Sequence, residues 1–127
     1  MPAPDPLRAL PGLRVVADPA ALDAARWAGD DVTVLRFAPD DAFAIGAEAV
    51  EIDDEHAIIE PEAGFAGAWL PLEHVLPHLE WPLPLERPAL AQGFVATVPA
   101  KLWLPDDGDV LLLTAAAYAD ELTGRLR

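Results

Sequence analysis

Hydrophobic and polar positions alternate most regularly in the last third of the chain. Phe94, Ala96, Val98, Ala100, Leu102 and Leu104 are all apolar, while Val95, Thr97, Pro99, Lys101 and Trp103 between them are mixed. A period of two predicts one long strand over 94–104 with a buried face and a partly wet face. Pro105-Asp106-Asp107-Gly108-Asp109 then supplies turn chemistry, and residues 110–113 read as a returning buried strand. Thr114 is expected to N-cap a closing helix from about 115 to 126. Tyr118, Leu122 and Leu126 would form its inward stripe.

Upstream the elements are shorter. Residues 1–12 carry four prolines and read as a flexible lead-in. Residues 13–16 could form a short edge strand. Asp18-Pro19 has the form of a helix start, with Ala20 to Ala28 as its body and Gly29 as its end. Residues 32–37 alternate as a strand, and Ala38-Pro39-Asp40-Asp41 turns it back into 42–46 as a hairpin. Residues 48–52 and 57–60 flank Asp53-Asp54-Glu55-His56 and read as a second hairpin. Residues 61–67 look like a loose link. Leu72, Val75, Leu76 and Leu79 have helical spacing, but Pro77 limits that helix to a turn or two. Residues 81–88, with three prolines, read as an extended connector. The sum is an α+β class: a small, mostly antiparallel sheet with two or three packed helices, forming one domain over 13–127.

Composition narrows the function classes. The chain has 127 residues and is 53% hydrophobic, enough for a real core. No apolar run reaches the length of a membrane helix, and the start lacks the basic-then-apolar plan of a secretory leader. A cytoplasmic protein is the expectation. Zero cysteines exclude disulfides, a thiol nucleophile and cysteine-ligated metals. The net charge of −14 opposes binding to nucleic acid or to an anionic membrane. Twelve acids and no Lys or Arg lie between Arg36 and Arg87. Solubility, a docking face for a basic partner, and mimicry of DNA all fit that asymmetry.

Candidate chemistry is sparse. His74 and His78 are four apart, as two metal ligands on a helix would be, but Pro77 spoils the geometry and no third ligand follows. Asp53, Asp54, Glu55 and His56 lack the spacing of a calcium loop and read as an exposed turn. The threonines sit in no nucleophile-elbow context, and Gly64-Phe65-Ala66-Gly67 is not a phosphate loop. No catalytic set, metal or cofactor is expected. Trp81 and Trp103, with the lone lysine Lys101, could instead form an exposed platform for a protein partner.

The order of short motifs resembles a known family. Leu35-Arg36-Phe37-Ala38-Pro39-Asp40-Asp41, Ile58-Ile59-Glu60-Pro61 and the helical segment at 70–79 form its first half. Trp81-Pro82-Leu83-Pro84-Leu85, Val98-Pro99-Ala100-Lys101-Leu102-Trp103 and Tyr118-Ala119-Asp120-Glu121-Leu122 form its second. This order is similar to the gamma subunit of heterotetrameric sarcosine oxidase, within the glycine-cleavage T-protein, folate-binding aminomethyltransferase superfamily. The resemblance implies a ferredoxin-like or T-protein-like fold and a non-catalytic accessory subunit beside a larger, amine-oxidising or folate-dependent partner. The superfamily's catalytic aspartate and its glycine–proline–aspartate helix entry have no counterpart here. One alternative is a stand-alone binder of a folate-like or amine-derived ligand, with Trp69 as an aromatic wall and Arg87 as a carboxylate clamp. Another is an acidic decoy of a basic protein. A homo-oligomer is compatible with each.

Overall fold

The computed structural model describes residues 7–126. Among the described residues most of the backbone is antiparallel sheet, with three short helices, so the class is α+β. The sequence pattern reads as one domain over 13–127, whereas the backbone groups into two compact units. One takes in residues 7–9 and 64–126, and the other Leu10–Ala63. The first six residues of the proline-rich lead-in lie outside the described residues. From Leu7 on the lead-in is held: Leu7 is buried, and its N–H donates to Thr123 Oγ1 at 3.1 Å.

The Leu10–Ala63 unit is a four-stranded sheet with one helix. Its strands are β2 (Gly12–Val16), β3 (Arg26–Ala38), β4 (Asp41–Glu51) and β5 (Ile58–Glu62), in the spatial order β3-β4-β2-β5. The expected hairpin through Asp40 forms between β3 and β4. Residues 13–16 are not an edge strand, because β2 pairs with β4 on one side and β5 on the other. Leu13, Val15 and Val16 make it apolar enough for an interior place. The second expected hairpin is absent: β5 pairs with β2, Val16 facing Ile58, and not with the end of β4. The Asp54 carboxylate is consistent with that pairing: it accepts the Asp18 N–H at 2.8 Å and so ties the turn before β5 to the residues just beyond β2.

Helix α1 (Pro19–Asp23) starts as expected, with the Asp18 carboxylate accepting the Ala21 N–H. It ends far short of Ala28. Arg26, Trp27 and Ala28 pair with Glu51, Val50 and Ala49, so cross-strand hydrogen bonds override the helix propensity of the alanines. Leu22 packs with Val15, Ala17 and Ala42 as the core of this unit, and Trp27, Val34 and Val50 close around it.

The other unit is a five-stranded sheet built from β1 (Arg8–Ala9), β6 (Phe65–Leu70), β7 (Ala89–Val95), β8 (Val98–Leu104) and β9 (Val110–Ala115). Their spatial order is β1-β6-β9-β8-β7. The segment read as a loose link at 61–67 therefore carries the end of β5 and the start of β6. The single strand expected over 94–104 is broken by a two-residue turn, in which Val95 faces Val98 across β7 and β8. Ala96 and Thr97 both adopt positive φ, 48° and 67°, which gives the mirror-image turn that suits a hairpin's twist. Two side chains brace it. The Thr97 N–H donates to Glu80 Oε2 at 2.6 Å, and Arg125 donates to the Ala96 carbonyl at 2.8 Å and to the Thr97 hydroxyl.

One face of this sheet is the core, formed by Val95, Val98, Leu102, Leu104, Val110 and Leu112. Helix α2 (Leu72–Val75), with the 3₁₀ turn Leu76–His78, contributes Val75, and helix α3 (Ala119–Arg125) contributes Leu122. The helix at 70–79 is limited to a turn or two, as Pro77 requires. The closing helix is shorter than expected, because Ala116–Tyr118 is a 3₁₀ turn. Leu122 and Leu126 point inward, but Tyr118 is exposed. Thr114 does not cap a helix. It is the buried penultimate residue of β9.

Candidate functional site

Strand register decides which side chains share the face opposite that core. Leu90 pairs with Trp103, Gln92 with Lys101, and Phe94 with Pro99. Across β9, Trp103 and Trp69 both pair with Leu111, and Lys101 pairs with Leu113. Because side chains alternate, these residues lie on one face. Its centre is buried at Leu111 and Leu113, while its margin leaves Trp69 48% and Phe94 54% exposed.

Near the turn-side end of this face is an open groove of about 420 Å³. Phe65, Phe94, Pro99, Leu113 and Tyr118 supply its apolar wall, with Gln92 and Lys101 as its polar part. The groove follows from the local backbone. The β8–β9 ladder stops at Lys101 and Leu113, and Pro99 two residues earlier has no N–H to extend it. Instead the Thr114 hydroxyl donates to the Pro99 carbonyl at 2.7 Å. On the polar side, Lys101 Nζ donates to Gln92 Oε1 at 2.7 Å.

The residues expected to form a platform divide. Lys101 and Trp103 stand two apart on the same face of β8, and Trp69 joins them across Leu111. Trp81 does not. Its ring packs under Gly93 with the core cluster on the opposite face. Trp103 is half-buried rather than fully presented. Arg87 is exposed but turned onto its own loop, donating to the Pro84 carbonyl at 2.6 Å and the Glu86 carbonyl at 2.8 Å. It does not line the groove. Phe65, Phe94, Tyr118 and Gln92 are the lining residues that sequence patterning misses. Phe94 looks like a core position because the alternation runs unbroken through the hidden turn. The available signal was Pro99, which marks an interrupted ladder.

Elsewhere the polar clusters are structural. Arg14 Nε and Nη2 donate to the Asp41 carboxylate at 2.6 and 2.7 Å, and Nη1 donates to Glu62 at 3.1 Å. The Phe37 ring lies 4.7 Å beneath that guanidinium. The bond to Asp41 holds Arg14 above its ordinary pKa, so this group locks strands β2, β4 and β5 in register and has no proton to exchange near neutrality. In the Asp53–His56 segment, Asp54 accepts the N–H groups of Asp18 and His56 at 2.8 and 2.9 Å. That is a turn held by its own carboxylate. Among the described residues no three His, Asp or Glu side chains are grouped to hold a metal, and His74 and His78 belong to no such group. No helix among the described residues is long and apolar enough to cross a membrane. Comparison with protein-family models, with curated proteins and with solved structures finds no match to this chain.

Proposed function

We propose that this chain is a non-catalytic interaction protein that packs against a larger partner through the aromatic margin of its five-stranded sheet. The observation that carries the reading is the exposure of Phe94, Trp69 and Tyr118 (54%, 48% and 42%) in one small unit. Large apolar side chains gathered at a surface are costly in water, and an interface removes that cost. Trp103 and Lys101 lie on the same face and would join the contact, whereas Trp81 would support it from below. On the resemblance to the sarcosine oxidase gamma subunit, the partner would be an amine-oxidising or folate-dependent enzyme chain, and the fold would share T-protein-like or ferredoxin-like character. A cytoplasmic setting belongs to the same proposal.

The test compares capture of partners by the tagged wild type with capture by Phe94→Glu and Trp69→Glu variants. A control charge goes in at Leu85, which is 94% exposed and lies on the connector. Loss of the same stoichiometric partner with both face variants, but not with Leu85→Glu, is the expected result. A partner retained by the face variants, with circular dichroism showing them folded, rejects this surface.

A further inference from the structure

A sheet edge carries N–H and C=O groups that another strand can take up, and proteins blunt most of their edges. Among the described residues the two sheets end in four edges: β1 and β7, β3 and β5. Three are blunted. β1 is only two residues long. β7 already carries the chain at 78–80, where the Glu80 N–H donates to the Phe94 carbonyl and the Ala96 N–H to that of His78. In the four-stranded sheet, hydrogen-bond parity decides which groups face outward. The Gly46 N–H donates to the Pro11 carbonyl and the Ala17 N–H to that of Asp40. Even-numbered β4 residues therefore bond to β2, and odd-numbered ones from 41 to 45 turn toward β3. On its other side β2 offers Arg14 and Val16 to Glu60 and Ile58. Ile59 and Pro61 are thus left facing out of β5, and Pro61 has no N–H to give.

β3 is different. It bonds to β4 at Thr33 with Ile45 and at Leu35 with Phe43, so the N–H and C=O groups of Val34 and Arg36 face outward. Among the described residues no strand lies beyond it. Val32-Thr33-Val34-Leu35 is β-branched and apolar, without Pro or Gly, which suits a strand paired on both sides. We infer that this edge receives an extended, basic segment of a partner protein, which adds a fifth strand to the sheet beside β3. Charge selects the occupant. Residues 10–63, all of them described, hold 13 acids against three arginines, and exposed Asp30 and Asp31 flank the open stretch. Two of those arginines are already engaged, Arg14 by Asp41 and Glu62 and Arg36 by Asp23. A second copy would bring the same acids edge to edge, which defends against self-pairing, whereas lysines on an incoming strand meet opposite charge. The edge belongs to a different unit from the aromatic margin and does not depend on it.

The probe is a short capped peptide of alternating lysine and valine, compared with the same peptide carrying glutamate for lysine. Backbone NMR of the wild type should show shifts centred on Val32 to Arg36, with slowed amide exchange at Val34 and Arg36. The glutamate peptide should bind at least about tenfold more weakly. Added sodium chloride should weaken the lysine peptide, because its attraction is between exposed charges. Val34→Pro removes an outward N–H without touching the bonds to β4, and should abolish binding with circular dichroism unchanged. Equal binding of the two peptides, no binding at millimolar peptide, shifts confined to other residues, or shifts without amide protection would each overturn the assignment with no variant needed. Sedimentation showing a dimer of the free protein that Val34→Pro dissolves would give the edge to a second copy and overturn it too.

Discussion

Asp54 shows how one carboxylate organises a stretch that sequence presents only as a run of acids. Its Oδ2 takes the Asp18 N–H that would otherwise be left open beyond β2, and its Oδ1 takes the His56 N–H two residues on. The Asp18 hydrogen bond first, and the His56 bond after it, hold its carboxyl below the ordinary aspartate value of 3.8. A carboxyl with a lowered folded pKa stabilises the fold above its unfolded pKa. That contribution disappears as pH falls through the folded value. Replacing Asp54 with Asn should therefore reduce stability at neutral pH and leave little difference from wild type in acid well below 3.8. Urea unfolding midpoints across that pH span check the sign. A difference that persists undiminished in acid would assign the effect to shape rather than to charge. The positive φ values at Ala96 and Thr97 are a second residue-scale device. Neither residue is the Gly or Asn such a turn prefers, and the strain is held by the bonds from Arg125 and to Glu80.

At the scale of elements, legibility depended on whether local chemistry and tertiary pairing agreed. The β3–β4 hairpin, the acidic turn before β9 and the brevity of α2 were legible because Pro, Asp and Gly at those points admit few alternatives. Residues 26–28 were not legible as strand, since their helix propensity is outvoted only by pairing with residues of β4 distant in sequence. The Ala96-Thr97 turn was hidden for a different reason. Two residues of turn shift the buried parity from odd in β7 to even in β8, and exposed Phe94 masks the shift by being apolar. The groove inherited that error, so Lys101 was found and its aromatic neighbours were not. Trp81 was misplaced because nothing local reports that Gly93 leaves room for its ring. A Cβ at Gly93 would stand 2.6 Å from Trp81 Cε3, closer than real contacts allow. Gly93→Ala should push the indole out of the core face and cost about 1–3 kcal/mol. A fall in the unfolding midpoint with an altered tryptophan emission is the expected record, and a neutral substitution would show that the ring has space to move.

Charge acts on the molecule as a whole. With 22 acids against eight Lys and Arg, pairing every cation still leaves the formal net of −14. The local ion pairs oppose this only modestly. Arg14 with Asp41 and Arg36 with Asp23 are partly exposed, with arginine side chains at 31%, and pairs of that kind contribute about 0–1 kcal/mol each. Self-repulsion is the larger effect because it sums over 22 acids against eight cations, with twelve acids and no Lys or Arg in the stretch between Arg36 and Arg87. Sodium chloride screens both, and the sign of its net effect shows which wins. Stability should rise from low to moderate salt, and a gain of about 1 kcal/mol would move Tm upward by roughly 4 °C. The comparison is made with chloride, since sulfate would also strengthen apolar burial and confound the reading. A Tm that falls with chloride would mean that the Arg14 and Arg36 pairs carry more of the fold than their exposure allows.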